Sequence, residues 1–210
     1  MPWPARSSIP SATLDMTTHS FTDVGRLWLL GGGNMGGAML GGWIDAGLDP
    51  SSVTVIDPRP SAAVELLLEK GVRHSAEVPD VSPDTMILAV KPQILDEAMI
   101  PLRSALKPET LTISVAAGRT IRSIERGLGE RPVVRAMPNT PALIGRGITG
   151  AFANERVGTA QRSAASALLS ASGPVEWVGS ESEIDAVTAV SGSGPAYVFL
   201  LAEALAEAGV

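Results

Sequence analysis

Three glycines with the spacing of a phosphate-binding turn follow the first strongly apolar run of the chain. Gly31, Gly33 and Gly36 form the pattern G-x-G-x-x-G directly after Leu27–Leu30. In dinucleotide-binding proteins, the first glycine makes the turn, the second lets the backbone approach the pyrophosphate, and the third allows close packing of strand and helix. The free N–H groups at the start of the following helix then face the phosphates. The spacing predicts that a dinucleotide binds at this turn.

The next apolar run, Val53–Ile56, is followed by three residues whose side chains can distinguish NAD from NADP. Asp57 stands where a carboxylate would accept a hydrogen bond from the adenosine ribose, which favours NAD. Arg59 and Ser61 follow it, and an arginine beside a hydroxyl can hold the 2′-phosphate of NADP. The segment leaves both coenzymes open, and it is also compatible with a plain turn into a helix that has Ser61 near its N-cap.

Small and polar residues also follow three other apolar runs. The segments are Ala89-Val90-Lys91-Pro92, Ala116-Ala117-Gly118 and Met137-Pro138-Asn139-Thr140-Pro141. Ligands of open α/β sheets bind beyond the carboxyl ends of the strands, so we expect Lys91, Gly118 and Asn139 at one edge of a sheet. Each segment alone is equally compatible with an exposed lysine or a simple turn. Their convergence predicts a binding site at that edge.

A segment rich in serine and glycine precedes the last helix. Ser191-Gly192-Ser193-Gly194-Pro195 places a proline at the first helical position, with serines and glycines available as caps. One interpretation is a flexible cap between domains. The other is a site for a carboxylate-bearing ligand, formed by two hydroxyls and a helix N-terminus. Ser191 and Ser193 are therefore candidate substrate residues, whereas the sequence identifies no catalytic residue.

Apolar runs alternate with helical segments from Arg26 onward. The predicted strands are Leu27–Leu30, Val53–Ile56, Met86–Val90, Leu111–Val115, Val133–Met137, Ile148–Phe152 and Val175–Val178. The predicted helices are Asn34–Ala46, Ser61–Lys70, Ile94–Leu106, Ile121–Leu128, Gly158–Ser170 and Pro195–Ala208. This alternation predicts βαβ units and a parallel sheet. The fold class is therefore α/β, a Rossmann-like doubly wound parallel sheet.

The two ends of the chain differ from this pattern. Residues 1–25 are rich in Ser, Thr and Pro and predict a disordered tail. Pro195–Ala208 is apolar except for Tyr197, Glu203 and Glu207, so nearly its whole circumference should be buried. The sequence ends two residues later, which predicts a helical domain whose remainder is absent. The expected organisation is a tail (1–25), a dinucleotide-binding domain (26–180) and the start of a helical domain (181–210).

The composition excludes several classes of protein. A formal net charge of -6 over 210 residues argues against binding to nucleic acid or to an anionic membrane surface. Without cysteine, and with His19 and His74 far apart, the chain has neither a predicted metal site nor a hydrolytic triad. The uncharged stretch Leu27–Ile44 fails as a membrane span because its glycines and Asn34 would need partners that lipid lacks. We therefore expect a cytoplasmic protein that binds small molecules.

The motifs together resemble those of pyrroline-5-carboxylate reductase, the enzyme of the last step of proline synthesis. The matching strings are Leu30–Gly36, Leu88–Pro92, Ser114–Gly118, Met137–Pro141 and, most specifically, Asp185–Tyr197. The resemblance extends from about Arg26 to the final residue. It implies reduction of the cyclic imine 1-pyrroline-5-carboxylate to L-proline, with hydride delivered to the imine carbon and a proton to the nitrogen.

The resemblance also implies roles for individual residues. It favours NADP as the coenzyme, with NAD as the alternative. The residues that it implies in coenzyme contact are Gly31, Gly32, Gly33, Asn34, Met35, Ala89, Val90, Lys91, Pro92, Ala116, Ala117 and Gly118. The motifs themselves add Leu30, Gly36, Asp57, Arg59, Ser61 and Asn139 as candidate coenzyme-binding residues. By the same resemblance, Glu181 would lie near the active site.

The end of the sequence departs from the family pattern. In the family, later helices build an interlocked dimer, so the resemblance implies a homodimer or larger oligomer and makes the last helix the first of an all-α dimerisation domain. The family's Ser-Pro-Gly-Gly-Thr-Thr-like segment, which holds the substrate carboxylate, is not in this sequence, which leaves the activity of the 210 residues open. The alternatives are a β-hydroxyacid dehydrogenase-like oxidoreductase, whose catalytic lysine the last helix lacks, and a non-catalytic nucleotide-binding module.

Overall fold

Eight short strands form one sheet in the computed structural model, which describes residues 20–144 and 146–209. They are β1 (Leu27–Leu30), β2 (Val53–Ile56), β3 (Arg73–Ser75), β4 (Thr85–Leu88), β5 (Leu111–Ser114), β6 (Val133–Met137), β7 (Thr149–Ala153) and β8 (Val175–Trp177). The spatial order is β3-β2-β1-β4-β5-β6-β7-β8. The pairs among β2, β1, β4, β5 and β6 are parallel, as the sequence predicted, and the unpredicted β3 also pairs parallel with β2.

β7 departs from the prediction of a wholly parallel sheet. It runs antiparallel to β6, and β8 pairs parallel with β7. The connection from β6 to β7 contains only the short 3-10 helix Thr140–Ile144. A parallel neighbour needs a crossover of a dozen or more residues, usually through an α-helix, so this short connection returns the chain beside β6 in the opposite direction.

Eight α-helices are assigned within the described residues. They are α1 (Asn34–Asp45), α2 (Ala62–Leu68), α3 (Leu95–Met99), α4 (Leu102–Ala105), α5 (Ile121–Leu128), α6 (Thr159–Ser170), α7 (Glu183–Val187) and α8 (Gly194–Ala208). The single helix predicted over Ile94–Leu106 is wrong, because the chain divides into α3 and α4. Pro101 lies at the break, where it cannot donate the backbone hydrogen bond that a continuous helix requires.

The sheet carries a hydrophobic core on each face. α1 and α6 cover one face, where Trp43 is fully buried and its Nε1 donates to the Leu168 carbonyl at 2.7 Å. α3, α4 and α5 cover the other, with Leu95, Leu102 and Ile124 fully buried. Burial on both faces explains why β1, β2, β4 and β5 are continuous apolar or threonine-containing runs rather than alternating ones.

The predictions from sequence miss two segments that are part of the folded structure. β3 has two exposed residues and one half-buried residue at the edge of the sheet, so no apolar run marks it. Residues 20–25 were assigned to the disordered tail, yet Val24 is fully buried and its carbonyl accepts a hydrogen bond from the Thr85 hydroxyl at 2.8 Å. The folded part therefore begins before Arg26. Residues 1–19 of the predicted tail lie outside the described residues.

The serine- and glycine-rich segment before α8 is helical. α7 continues into a π-helical turn, Thr188–Gly192, and then into α8. The Ser193 amide donates to the Thr188 carbonyl at 2.9 Å, and no side chain caps α8. The interpretation as a flexible cap between domains is therefore wrong, because the segment belongs to a continuous helical run. The interpretation as a ligand site keeps its two hydroxyls, but the preceding turn occupies the N-terminus of α8. π-turns are rare and occur frequently at functional sites.

α8 is exposed on all sides. None of its residues is buried, and Phe199, Leu201 and Leu205 are 61–68% exposed. Among the described residues, the run Glu183–Ala208 is long and apolar enough to cross a membrane by length and composition alone, with a mean hydropathy of 1.3 over an 18-residue window. The same composition suits a helix that is covered by protein on every side.

Candidate active site

Most residues that the sequence assigned to coenzyme binding lie at or after the ends of β1, β4, β5 and β6. These four strands are parallel neighbours in register, so their carboxyl ends lie at one edge of the sheet. The edge brings together the turn at 31–36 (the glycine turn), the segments Ala89–Pro92 and Ala116–Gly118, and Asn139. The predicted convergence of these segments follows directly from the register.

The glycine turn has the geometry that a dinucleotide requires. Gly31 has φ +100°, and a Cβ there would lie 2.9 Å from the Ala89 carbonyl. A Cβ on Gly36 would lie 2.0 Å from the Gly31 carbonyl oxygen, so helix and turn approach as closely as their backbones allow. Above Gly33, by contrast, a Cβ would meet no atom within 4 Å. The first and third glycines are therefore required by the fold, whereas the second faces open space that can receive a pyrophosphate.

The start of α1 can hold a negative charge. Gly33 is its N-cap, no side chain caps its N–H groups, and its first turn contains no acidic residue. The first N–H groups of a helix lack partners within the helix, and the helix dipole adds partial positive charge there. Asn34 and Met35 thus offer backbone donors beside the open space above Gly33, which fits a phosphate group.

Asp57 holds the glycine turn in place. Its Oδ2 accepts a hydrogen bond from the Gly32 amide at 2.7 Å, and its Oδ1 accepts one from the Arg59 amide at 2.8 Å. The Gly32 carbonyl in turn accepts from the Ser61 amide at 3.0 Å. Both the backbone N–H and the backbone carbonyl of Gly32 are therefore bound to the β2–α2 turn (residues 57–61). A ribose contact by Asp57, as the sequence suggests, would have to share oxygens that already bind the backbone.

Arg59 and Ser61 face different surroundings. Arg59 is exposed, and it makes no ion pair with any residue that the structure describes. The Ser61 hydroxyl is buried without a hydrogen-bond partner, and it lies 3.3 Å from where a Cβ on Gly37 would stand. Arg59 is free to reach a 2′-phosphate, whereas Ser61 would first have to rotate its side chain.

A cleft of about 940 Å³ lies beside the β2–α2 turn. Its walls include apolar side chains from three strand ends, Leu30, Ile56 and Val90, and the charged residues Arg59 and Lys91. An apolar slot with cations at its rim suits a flat base attached to a phosphorylated ribose. The sequence-predicted Asp57, Arg59, Val90 and Lys91 all border this space.

Glu181 connects the helical segment to the site edge. Its Oε1 accepts a hydrogen bond from the Ile121 amide at 2.7 Å, at the start of α5 and directly after the turn that contains Gly118. The same oxygen accepts from Arg135 at 3.3 Å, and Arg135 also pairs with Asp185 at 2.6 Å. Glu181 is expected to lie near the active site. In the structure it joins the start of α5 to Arg135 on β6, and Arg135 joins β6 to Asp185 on α7.

Arg135 is a residue that the sequence analysis missed. Its side chain is only 4% exposed although it carries a charge. An arginine inside the apolar run Val133–Met137 is itself a signal, because a buried charge requires a partner. The sequence could not show that the partners come from residues about 50 positions later.

Asn139 and Ser191 meet at the end of β6. The Asn139 Nδ2 donates to the Ser191 Oγ at 3.1 Å, while its Oδ1 accepts from the Ile148 amide at 3.0 Å. Gly192 packs against the Met137 side chain, where an added Cβ would lie 2.6 Å from the methyl carbon. The π-turn therefore lies against the sheet edge that carries the glycine turn. Among the described residues, Ser193 has no side-chain partner comparable to Asn139.

Two family models match the chain. The model described as "NADP oxidoreductase coenzyme F420-dependent" matches residues 26–118. The model described as "Pyrroline-5-carboxylate reductase dimerisation" matches residues 181–210. The first match contains the glycine turn and the second contains Glu181, the π-turn and α8.

Several pyrroline-5-carboxylate reductases align with most of the chain. The pyrroline-5-carboxylate reductase of Pseudomonas aeruginosa is 44% identical over 189 residues, which is 88% of this chain and 68% of the relative. The solved structure of a pyrroline-5-carboxylate reductase from Coxiella burnetii is 38% identical with a TM-score of 0.79, over 89% of this chain and 70% of that chain. The Plasmodium falciparum pyrroline carboxylate reductase, solved with NADP bound, is 28% identical with a TM-score of 0.72, over 88% of this chain and 68% of that chain.

Proposed function

The chain belongs to the pyrroline-5-carboxylate reductase family, as its motifs suggested, and on that basis we propose that it reduces 1-pyrroline-5-carboxylate to L-proline with NADPH. The reaction adds a hydride to the imine carbon and a proton to the imine nitrogen. The observation that carries the proposal is the geometry of the glycine turn, where two glycines are sterically required and Gly33 faces open space. The π-turn with Ser191 lies against the same edge of the sheet.

Each part of the edge has a distinct task in this proposal. The bound coenzyme supplies the hydride. The glycine turn and the start of α1 hold its pyrophosphate, and the cleft with Lys91 at its rim holds its adenosine. Ala117 and Gly118 are exposed small residues after β5, which lets a flat ring approach the backbone. Ser191 and Ser193 are placed to bind the substrate, whose imine needs alignment and a proton source more than strong side-chain chemistry.

We further assign the preference for NADPH to Arg59. Its guanidinium is exposed at the cleft, and it is not engaged by an acidic side chain among the described residues. The carboxylate that would favour NAD, Asp57, is occupied by the Gly32 and Arg59 amides. This arrangement favours recognition of a 2′-phosphate over recognition of a free 2′-hydroxyl.

Turnover of substrate tests the proposed activity. The 210-residue protein is mixed with NADPH and 1-pyrroline-5-carboxylate, and loss of NADPH absorbance is followed together with formation of L-proline. We expect a rate that scales with protein concentration and depends on both substrates. Tight binding of NADPH with no proline formed would instead support the nucleotide-binding module. NADP reduction with a β-hydroxy acid would support the dehydrogenase alternative.

We also propose that a second copy of the chain covers α8. The match of residues 181–210 to the dimerisation model supports this arrangement, as does the exposure of every helix residue from Ala196 to Ala208. Exposed aliphatic and aromatic side chains at this density form a patch that drives association, each worth about 1.5–3 kcal/mol when buried. A cytoplasmic location and a lack of metal, nucleic acid and membrane partners remain predictions from the composition.

Oligomeric state tests the role of α8. Leu205 and Leu66 are both 65% exposed, but Leu66 lies on α2. We expect light scattering to show a dimer or larger species for the wild type, a smaller species for Leu205→Glu, and no change for Leu66→Glu. A monomeric wild type, or equal effects of the two substitutions, would contradict the assignment of α8 as the interface.

A further inference from the structure

We propose that His74 is a positioning residue for recognition of the NADPH 2′-phosphate, an inference that rests on the NADPH-dependent function proposed above. Its imidazole holds the Asp57 carbonyl, and that bond sets the direction in which the β2–α2 turn presents Arg59. His74 needs to touch neither the coenzyme nor the substrate for this role. The reductase function described above gives His74 no other task.

The hydrogen on the His74 ring follows from its partner. The Nε2 atom lies 2.8 Å from the Asp57 carbonyl oxygen. A carbonyl oxygen can only accept a hydrogen bond, so Nε2 carries a hydrogen and donates it. Both the neutral tautomer with its hydrogen on Nε2 and the charged ring meet this requirement. The contact therefore needs a donor at the position of Nε2 and does not need a positive charge.

The bond from His74 takes the place of a hydrogen bond of the sheet. The Asp57 amide donates to the Ser75 carbonyl at 3.1 Å, which extends the parallel pairing of β2 with β3 by one step. The next donor in such a pairing is the Glu77 amide, but this amide donates to the Ser75 hydroxyl at 3.2 Å. Within the described residues, the Asp57 carbonyl thus has no backbone donor. The side chain of His74 supplies the missing donor from β3.

Few torsions remain free in the β2–α2 turn. The rings of Pro58 and Pro60 fix φ at about −65°. Arg59 precedes a proline, which confines its backbone to extended conformations, and its amide donates to Asp57 Oδ1 at 2.8 Å. Asp57 also precedes a proline, yet its allowed ψ range still spans about 40°. A rotation within that range turns the Asp57 carbonyl and swings the following residues, so the bond from His74 fixes the torsion that the prolines leave free.

The direction of the turn affects Arg59 because the Arg59 side chain has little other support. It is exposed and makes no ion pair with any residue in the described part of the chain. Binding is weakened when a group that contacts the ligand must first be ordered, and a backbone held in the correct direction reduces this cost. NADH has no 2′-phosphate for Arg59 to contact. Loss of the bond from His74 should therefore weaken NADPH and spare NADH.

Two substitutions separate the hydrogen bond of His74 from the shape and charge of its ring. His74→Leu removes the donor. His74→Gln removes the ring and any charge, but its Nε2 can donate from nearly the same position as the histidine Nε2. His74 is exposed, so neither substitution opens a cavity in the core. Thermal unfolding of both variants should confirm that they fold.

Gln161 provides a matched control near the opposite edge of the sheet. Its Nε2 donates to the Glu109 carbonyl at 2.9 Å, shortly before β5 begins. Gln161→Leu therefore removes another side-chain donor to a backbone carbonyl, away from the coenzyme. It also removes the acceptor of the Gly158 amide, so it tests a larger structural loss than His74→Leu does. A general loosening of the fold would affect both variants.

The experiment measures the Kd of NADPH and of NADH by calorimetry. It compares wild type, His74→Leu, His74→Gln, Arg59→Ala, the double variant of His74→Leu with Arg59→Ala, and Gln161→Leu. We expect His74→Leu to raise the Kd of NADPH by about 3- to 10-fold, the range for ordering one flexible side chain on binding, and to leave that of NADH within about twofold. His74→Gln should bind NADPH within about twofold of wild type, and Gln161→Leu should leave both constants unchanged.

The double variant decides whether His74 acts through Arg59. If it does, His74→Leu has no further effect on NADPH once residue 59 is alanine, because the guanidinium that it positions is absent. Multiplied losses in the double variant, wild-type affinity in His74→Leu, or equally weak binding by His74→Gln would overturn the inference and leave the reductase function intact. A wild type that binds NADPH no more tightly than NADH would overturn the proposed coenzyme preference, and this inference with it.

Discussion

A single methyl group at Gly33 should separate coenzyme binding from folding. In the free protein, a Cβ at Gly33 meets no atom within 4 Å, so Gly33→Ala has room. Alanine is a poorer N-cap than glycine by about 0.5 kcal/mol, and it lowers the entropy of the unfolded chain by a similar amount, about 0.4–1 kcal/mol. The two effects nearly cancel, so we expect Tm to change by less than about 3 °C.

The bound state should be affected differently. The methyl group would occupy the space that admits the pyrophosphate to the backbone, and such overpacking costs about 1–3 kcal/mol, or roughly 5- to 150-fold in Kd. Calorimetric titration with NADPH measures this loss directly. Gly36→Ala should behave in the opposite way, because its Cβ would lie 2.0 Å from a backbone oxygen. There we expect a loss of stability near the upper end of the same range, about 3 kcal/mol.

Gly41 is the matched control for both substitutions. It lies in the interior of α1, and a Cβ there also meets no atom within 4 Å. Gly41→Ala should raise stability by up to about 1 kcal/mol through helix propensity and leave NADPH affinity unchanged. If Gly33→Ala folds normally and binds NADPH within twofold of wild type, the assignment of the open space to the pyrophosphate is refuted.

Three further predictions concern charged side chains. Arg59→Ala should weaken NADPH by about 1.5–3 kcal/mol and leave NADH nearly unchanged in parallel titrations; equal losses would show that Arg59 does not discriminate. Arg135→Met should lower the free energy of unfolding in urea by about 1–3 kcal/mol, since it leaves the partly buried Glu181 without its arginine partner; an unchanged urea midpoint would argue against this. Hydrogen bonds from the Ser51 hydroxyl and amide lower the pKa of Asp49. The ionised Asp49 carboxylate therefore stabilises the fold fully above its ordinary pKa, and this stabilisation is lost as the pH falls through the lowered pKa. The stability of Asp49→Asn should lack this pH dependence in acid. Identical acid unfolding transitions of the variant and the wild type would contradict this prediction.

The nucleotide-binding half was the part most accessible from sequence. The glycine spacing of 31–36 follows from steric demands of the backbone that few other residues satisfy, so the pattern and the geometry agree. The strands β1, β2 and β6 have the predicted bounds because burial on both faces makes them continuous apolar runs or nearly so. These features depend on residues that are close together in the sequence, so they can be predicted from the sequence alone.

The missed features depend on distant partners. β3 is a polar edge strand, whose pairing with β2 no periodicity reveals. The direction of β7 depends on the length of its connection rather than on its own residues. Ser191–Pro195 has the composition of a cap, yet Ser191 and Gly192 lie in a π-turn that contacts Asn139 and Met137. The double use of Glu181, for α5 and for Arg135, is likewise visible only when the chain is folded.

The hydrogen bonds between Gly32 and the β2–α2 turn have a consequence for redesign of coenzyme preference. The segment to which we assign the coenzyme preference also holds the backbone N–H and carbonyl of Gly32, through Asp57 and the Ser61 amide. Exchanging the whole segment 57–61 for one from an NADH-dependent enzyme would therefore alter affinity for both coenzymes together. A substitution confined to Arg59 would change selectivity with the supporting bonds retained, so engineering should vary that side chain and preserve Asp57 and the backbone amide of Ser61.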